Sequence, residues 1–189
     1  MTRIIIFNKP YGVISQFSPN PPHQTLKDYI SVPAVYPAGR LDTDSEGLMI
    51  LTDNGQLQAK IAEPKHGKTK TYWVQVEGVP TDKQLLALES GVDLGDFITA
   101  KALVKVIEEP ANLWSRNPPI RERKSIPTSW LELSITEGKN RQVRRMTAKV
   151  GLPTLRLIRS AIGCIRLDSL LPGDYYELAY PDFIKRFNG

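Results

Sequence analysis

The feature that most constrains this chain is a short apolar run, Leu48–Leu51, with turn-forming residues at both ends. Gly47 precedes the run, and Thr52-Asp53-Asn54-Gly55 follows it. A run of this length with turn signals on both sides is typical of a strand buried on both faces. The run therefore predicts a central strand against which the rest of the chain packs.

A polar loop leads directly into this strand. Between Gly39 and Gly47 the sequence crowds one cation, Arg40, with the acids Asp42, Asp44 and Glu46. Reactive side chains are commonly placed on a loop that a rigid element holds. Composition alone allows a plain turn with solvated carboxylates, so other parts of the chain have to decide between the two interpretations.

The bulk composition excludes several classes of protein. A chain of 189 residues is long enough for one domain with a substantial core, and no apolar run approaches the roughly 20 residues of a membrane span. One cysteine, Cys164, excludes an intrachain disulfide and fits a reducing cytoplasm. His23 and His66 have no metal-ligand spacing, so no metal is expected.

The charge distribution indicates a polyanionic partner. The formal net charge is +5, and the range 139–166 contains basic residues but no Asp or Glu. The basic residues of this range are Lys139, Arg141, Arg144, Arg145, Lys149, Arg156, Arg159 and Arg166. A single-sign block in a well-patterned segment is typical of a phosphate-binding surface, the alternative being a solvated basic face.

Periodicity and turn signals predict an α+β fold with largely antiparallel strands. The predicted strands are Arg3–Phe7, Val13–Phe17, Leu48–Leu51, Thr71–Glu77, Thr99–Ile107 and Trp130–Thr136, with short ones from Thr154, Ile165 and Tyr175. The predicted helices are Thr25–Ile30, one capped by Asp53 or Asn54 and carrying Leu57 and Ile61, one that begins at a Thr81–Gln84 capping box, Asn140–Val150 and one starting at Pro181. A basic, proline-rich segment, Asn112–Pro127, is predicted to be irregular.

Alternation in the strands predicts that Tyr72, Val74 and Val76 share one face, with Trp73 on the other, and that Leu131, Leu133 and Ile135 point inward. In the helix Asn140–Val150, the predicted inner stripe is Val143, Met146, Thr147 and Val150, and Arg141, Arg145 and Lys149 are predicted to share another face.

Four motifs stand in order along the chain and together resemble one family. They are NKPYG at Asn8–Gly12, GRLDTDSEGL at Gly39–Leu48, KTYWV at Lys70–Val74 and EGKNRQVRRM at Glu137–Met146. The chain resembles the pseudouridine synthases, in the RsuA-type branch that modifies ribosomal RNA. The resemblance implies a mixed, largely antiparallel central sheet with flanking helices and a central RNA-binding cleft. It also implies that residues 1–189 form one catalytic domain, with two lobes around that cleft and no N-terminal S4 domain.

The resemblance implies an isomerisation that needs no cofactor. The N-glycosidic bond of a uridine in 23S ribosomal RNA, presented before full ribosome assembly, breaks and the uracil is rejoined through C5. Asp42 matches the catalytic aspartate, Tyr72 the tyrosine that stacks on the uracil near C5, and Arg144 the cation beside Asp42. Asp42 could attack C1′ or abstract a proton from C2′, and the sequence does not choose.

The same motifs suggest residues for RNA binding. Arg40 matches the arginine that fills the space of an extruded uridine, with a phosphate contact as the alternative. Lys9 either supports the Asp42 loop or touches RNA. The remaining candidates for backbone contacts are Lys139, Arg141, Gln142 and Arg145.

Two rival functions are weighed against pseudouridine formation. One is an RNA-binding assembly factor without chemistry, which would have no need of Asp42, Tyr72 and Arg144 together. The other is an N-glycosidase that uses the same carboxylate but releases uracil.

Overall fold

The predicted central strand is present in the computed structural model, which describes all residues from Met1 to Gly189. It runs over Glu46–Thr52, and every one of its residues is buried. The strand Ile4–Lys9 is likewise buried along its whole length and pairs with it in antiparallel register. The apolar run predicted a strand buried on both faces, and this prediction is confirmed.

Nine strands and four α-helices make up the regular structure. The strands are β1 (Ile4–Lys9), β2 (Tyr36–Pro37), β3 (Glu46–Thr52), β4 (Lys70–Glu77), β5 (Leu103–Ile107), β6 (Thr128–Ile135), β7 (Thr154–Ile162), β8 (Ile165–Arg166) and β9 (Tyr175–Glu177). The helices are α1 (Gly55–Ala62), α2 (Asp82–Ser90), α3 (Gln142–Lys149) and α4 (Tyr180–Phe187). Short 3₁₀ turns occur at Leu26–Asp28 and Pro64–His66. The predicted α+β class is confirmed.

The chain divides into two compact units. The first unit contains Met1–Lys68 and Arg159–Gly189, and the second contains Thr69–Ile158. In the first, the strand order is β7-β3-β1-β9, with β2 beside β3 and β8 beside β7. In the second, the order is β5-β6-β4-β7, and β6 pairs antiparallel with both β4 and β5.

The core of the second unit follows the predicted alternation. Val74 and Val76 of β4 are buried with Leu131 and Leu133 of β6. Helix α3 packs its predicted inner stripe, which includes Val143 and Met146, against this cluster.

Local capping signals also predicted helix boundaries correctly. The Asn54 Oδ1 accepts hydrogen bonds from the amides of Gln56 and Leu57, both at 3.0 Å, and α1 follows. At α2, the Gln84 amide donates to the Thr81 hydroxyl and the Thr81 amide donates to the Gln84 side chain. These bonds satisfy backbone donors that the first turn of a helix leaves without intrahelical partners.

Two predicted strands are wrong in whole or in part. Val13–Phe17 is not a strand, because its backbone bonds to the segment at residues 24–26 instead of β1, as in the Ile14 amide to Gln24 carbonyl bond of 3.0 Å. Thr99–Ile107 forms a strand only from Leu103. The Thr99 amide bonds the Val92 carbonyl at 2.9 Å, which directs the first residues away from β6.

The predicted irregular segment has neither helix nor strand between β5 and β6. It is held to the start of β7 by Arg156, whose guanidinium donates to the Trp114 carbonyl at 2.9 Å and lies 5.7 Å from the centre of the indole ring. None of the helices combines the length and apolar character required to cross a lipid bilayer.

Candidate active site

The polar loop before β3 is held by backbone hydrogen bonds within the first unit. The Gly12 amide donates to the Thr43 carbonyl at 2.8 Å, and the Ser45 amide donates to the Asp42 carbonyl at 3.0 Å. Gly39 has a φ of +88°, a conformation that a side chain would strain. Asp42 is half-buried, and Arg40 is exposed. A carboxylate with restricted solvent access therefore lies just before the fully buried strand β3.

Lys9, the last residue of β1, lies beneath this loop with no exposed surface. Its ammonium donates to the carbonyls of Pro10 at 2.8 Å and Val13 at 2.7 Å, with a longer contact of 3.4 Å to that of Thr43. Of the two predicted roles, these contacts favour support of the Asp42 loop. The alternative role, a contact between Lys9 and RNA, is wrong for this structure, because a fully buried ammonium is not available to a phosphate.

The charge on Lys9 is disfavoured by its surroundings. Burial lowers the pKa of Lys9 from its ordinary value of 10.5 to about 7, and Arg159 adds to the effect. The carboxylates of Glu46, Asp44 and Asp42 act in the opposite direction and raise it. Lys9 therefore interacts with several charged groups in and beside the Asp42 loop. Of these charged groups, Lys9 and Glu46 are wholly buried.

The Lys9→Met variant is expected to change how stability depends on pH. Below about pH 7 the wild-type lysine is charged in both the folded and the unfolded protein. Between about pH 7 and 10.5 the unfolded chain holds the extra proton, so the free energy of unfolding rises with pH by up to ~1.4 kcal/mol per unit. The variant should lack this rise, which denaturant titrations of both proteins across this range will measure. Parallel curves for the two proteins would contradict the depressed pKa.

Not all of the basic block is a surface. Arg156 and Arg159 of β7 are 6% and 4% exposed, and each donates to backbone carbonyls of its own unit. Both interpretations of the basic residues over 139–166, a phosphate-binding surface or a solvated basic face, are therefore wrong at these two positions. An arginine within the apolar run LRLIRSAI is a signal of a buried, hydrogen-bonded cation, and it was missed.

Tyr72 lies on β4, opposite Leu133 of β6. Its side chain is half-buried and packs against the core cluster that contains Val74 and Val76. The predicted alternation is confirmed here, because Tyr72 shares its face with these two valines while Trp73 falls on the other face. The Tyr72 side chain thus lies on the face of β4 that packs against the core.

The loop before α3 is shaped by Gln142, which is 3% exposed. Its amide oxygen accepts from the Lys139 amide at 3.2 Å, and its amide nitrogen donates to the Glu137 carboxylate at 3.1 Å. Glu137 also accepts from the Ala100 amide at 2.6 Å. Gln142 therefore organises the loop from inside, and its predicted role as an RNA contact is corrected.

The predicted cations of this segment have different surroundings. Arg144 is half-buried in the first turn of α3. Arg141 precedes the helix with a φ of +52° and is exposed, so it does not share the helical face with Arg145 that was predicted. Arg145 pairs with Asp96 and lies 5.6 Å from the Phe97 ring centre. The Lys139 ammonium lies 5.4 Å from the same ring centre.

Comparison with known proteins decides the family. A family model described as RNA pseudouridylate synthase matches residues 3–149, which is most of the chain. The chain belongs to this family. It is an RNA pseudouridine synthase and hence an isomerase, as the four motifs predicted.

Curated relatives of this synthase extend the match to nearly the whole chain. The ribosomal large subunit pseudouridine synthase E of Vibrio vulnificus is 56% identical over 179 residues, covering 95% of this chain and 76% of the relative. The protein of the same name from Xanthomonas axonopodis pv. citri is 57% identical over 171 residues, covering 89% and 90%.

A solved structure supports the fold assignment independently. It is described as a crystal structure of pseudouridylate synthase, and it matches the present structure with a TM-score of 0.81 at 28% identity. The match covers 99% of this chain and 74% of that one. The predicted pseudouridine synthase fold is confirmed.

Proposed function

We propose that this synthase isomerises a uridine of 23S ribosomal RNA to pseudouridine, with all 189 residues serving as the catalytic domain. The observation that carries the proposal is identity of 56% over 95% of the chain to a protein named for the ribosomal large subunit. The formal charge of +5 is consistent with an RNA partner. The proposed ribosomal RNA substrate supports a cytoplasmic location, which is part of the proposal.

Asp42 is proposed as the residue that acts on the ribose. A carboxylate can attack C1′ to form a covalent intermediate, or take a proton from C2′ to form a glycal, and both routes release the uracil for rotation. Support comes from the loop: its backbone is bonded at Asp42 and Thr43, and the Asp42 side chain keeps partial access to solvent. A group held in this way loses little freedom when a substrate arrives.

Tyr72 and Arg144 are proposed as its partners in the reaction. The uracil must lose the proton at C5 after it is rejoined to the ribose, and a tyrosine hydroxyl can accept or relay that proton. A guanidinium can bind a carboxylate through two charge-assisted hydrogen bonds, which is the role proposed for Arg144 towards Asp42. Both side chains are half-buried, as expected of groups that meet a substrate from a solvent-accessible side.

RNA contacts are proposed for Arg40, Lys139, Arg141 and Arg145. Arg40, Lys139 and Arg141 are exposed, whereas Arg145 already has a carboxylate partner in Asp96. Arg40 lies two residues from Asp42, so an arginine inserted beside an extruded uridine would bring that nucleoside towards the carboxylate.

Reversal of one exposed charge is expected to change the salt dependence of RNA binding. Arg141→Glu should weaken binding and reduce the slope of log K against log salt by about 1, because each phosphate contact releases counterions. Lys83→Glu, on an exposed side of α2 in the same unit, serves as the control for net charge. Filter-binding titrations at several salt concentrations measure the slope. Equal slopes for the two variants would remove Arg141 from the RNA interface.

The proposal is tested by mapping pseudouridines in large-subunit RNA after reaction with the purified protein. Unmodified 23S transcript and assembled large subunits are treated in parallel, and pseudouridines are located by chemical adducts that stop primer extension. One new site in the free transcript, reduced in assembled subunits, is the expected result. Binding without any modified site would favour the assembly factor, and abasic sites with free uracil would favour the N-glycosidase. Either of these outcomes overturns the proposed function.

A further inference from the structure

Backbone groups of three alternate residues in the Asp42 loop are bonded by side chains from elsewhere in the first unit. Arg159 bonds at Gly39, Ser15 at Leu41 and Lys9 at Thr43. These side chains come from β7, from the segment after β1 and from β1 itself. The bonded residues alternate with Arg40 and Asp42, the two positions proposed to meet RNA.

Ser15 makes the tightest of these contacts. Its hydroxyl donates to the Leu41 carbonyl at 2.6 Å and accepts from the Leu41 amide at 3.2 Å. Both Ser15 and Leu41 are buried, at 4% and 7% exposure. A single hydroxyl thus satisfies both backbone groups of the residue that immediately precedes Asp42. The alternative for these groups would be costly burial without partners.

Arg159 fixes the start of the loop to the central strand. Its guanidinium donates to the Leu48 carbonyl at 2.8 Å and to the Gly39 carbonyl at 3.1 Å. The planar fork of arginine presents a separate nitrogen to each acceptor, in a fixed geometry, whereas a lysine has to reach both acceptors from one flexible ammonium group. One side chain therefore ties the loop to the strand that follows it.

The alternation has a consequence for the side chains of the loop. The exposure of the side chains alternates in the same way as the bonding of the backbone. Leu41 is buried, while Arg40 is exposed and Asp42 is half-buried. Anchoring the backbone of Leu41 inward thus keeps its two neighbours outward.

We propose that Ser15 and Arg159 are positioning residues that hold the loop so that Asp42 and Arg40 project together towards the substrate. This inference rests on the proposed function, because it assigns Asp42 to the chemistry. Neither residue needs to touch RNA for the reaction to depend on it. A displacement of about 1 Å at a reacting group can reduce a rate by about a hundredfold.

The first test compares two buried hydroxyls of the same unit. Thr52 Oγ1 also donates to one carbonyl, that of Arg3 at 2.8 Å, and accepts from one amide, that of Asn54 at 3.1 Å, but it lies at the far end of β3. Ser15→Ala should lower the single-turnover rate constant about tenfold with the dissociation constant for RNA nearly unchanged. Thr52→Val should leave the rate constant at the wild-type value. Equal rates for the two variants would overturn the proposal.

A second arm does not depend on activity. The Leu41 amide loses its acceptor in Ser15→Ala, so its hydrogen exchange measured by NMR should accelerate about fivefold or more. The same amide in Thr52→Val should exchange as in the wild type. Unchanged protection of Leu41 in Ser15→Ala would show that the hydroxyl does not hold the loop, and would overturn the proposal.

Arg159→Lys provides the third arm. It retains the positive charge but loses the two separate nitrogens, Nε and Nη2, that bind the Leu48 and Gly39 carbonyls in the wild type, so the rate constant should fall by about 10- to 100-fold while RNA affinity is kept. A rate equal to that of the wild type would remove Arg159 from the proposal. If the wild-type protein forms no pseudouridine in any ribosomal RNA, the proposed function fails, and the exchange of the Leu41 amide then decides whether Ser15 holds the loop.

Discussion

The Asp42→Asn variant is expected to form no measurable pseudouridine, a loss on the order of 10⁴-fold or more, as is seen when a nucleophile or its base is removed. Asparagine has nearly the shape of aspartate but neither the charge to attack C1′ nor the basicity to take a proton from C2′. The prediction therefore holds for both routes. The Asp42 carbonyl would still accept from the Ser45 amide, so the loop should stay in place.

Rate and binding have to be measured together for this variant. Pseudouridine formation is followed by tritium release from C5-labelled uridine in the RNA, and affinity by filter binding. Affinity should stay within a few-fold of the wild type. Asp53→Asn is the matched control, because Asp53 accepts from the Arg3 amide at the other end of β3 and should retain full activity. An Asp42→Asn enzyme with a near-normal rate would exclude this residue from the chemistry.

The parts of the fold that the sequence predicted well are those with strong local signals. The Leu48–Leu51 run became the fully buried β3, α1 begins at Asn54, one of the two predicted caps, and α2 begins at the Thr81–Gln84 box. In each case the deciding interactions lie within a few residues along the chain. Such signals do not depend on the rest of the fold.

The wrong strands show where local signals are insufficient. Val13–Phe17 has apolar residues that suit a strand. The hydroxyl of Ser15, in the middle of this segment, instead donates a hydrogen bond to the carbonyl of Leu41, which lies 26 residues away. Only the folded chain brings these two positions together. Periodicity therefore could not reveal that this segment is a support for the Asp42 loop.

Burial of charge was the property that the sequence predicted least well. Arg156 and Arg159 were counted with the exposed cations, and contact with RNA was one of the two roles considered for Lys9, yet all three are buried and bonded to backbone carbonyls. A count of charges along a segment is independent of the direction in which each side chain points. The alternation of β7, in which apolar residues surround both arginines, was the available signal.

The Tyr72→Phe variant is expected to lose about 10²- to 10⁴-fold in rate, the usual contribution of a positioned acid or base. Phenylalanine keeps the ring that packs against the core cluster around Val74, so the free energy of unfolding should change little. Tyr175→Phe is the control, because it removes a hydroxyl that bonds the Ser31 hydroxyl at 3.0 Å in the first unit. That variant should retain the wild-type rate.

Isotopic substitution at C5 separates a chemical role of the Tyr72 hydroxyl from a packing role. If the hydroxyl removes the C5 proton, its loss makes that step rate-limiting, and RNA with deuterium at C5 of uridine should react more slowly in Tyr72→Phe than protiated RNA. A loosely packed ring would slow both substrates equally. Asp42 acts before the C5 proton leaves, so residual activity in Asp42→Asn should show no such isotope effect. A slow Tyr72→Phe enzyme without an isotope effect would show that the hydroxyl acts in a step other than proton removal, and a Tyr72→Phe enzyme with the wild-type rate would assign the tyrosine to stacking alone.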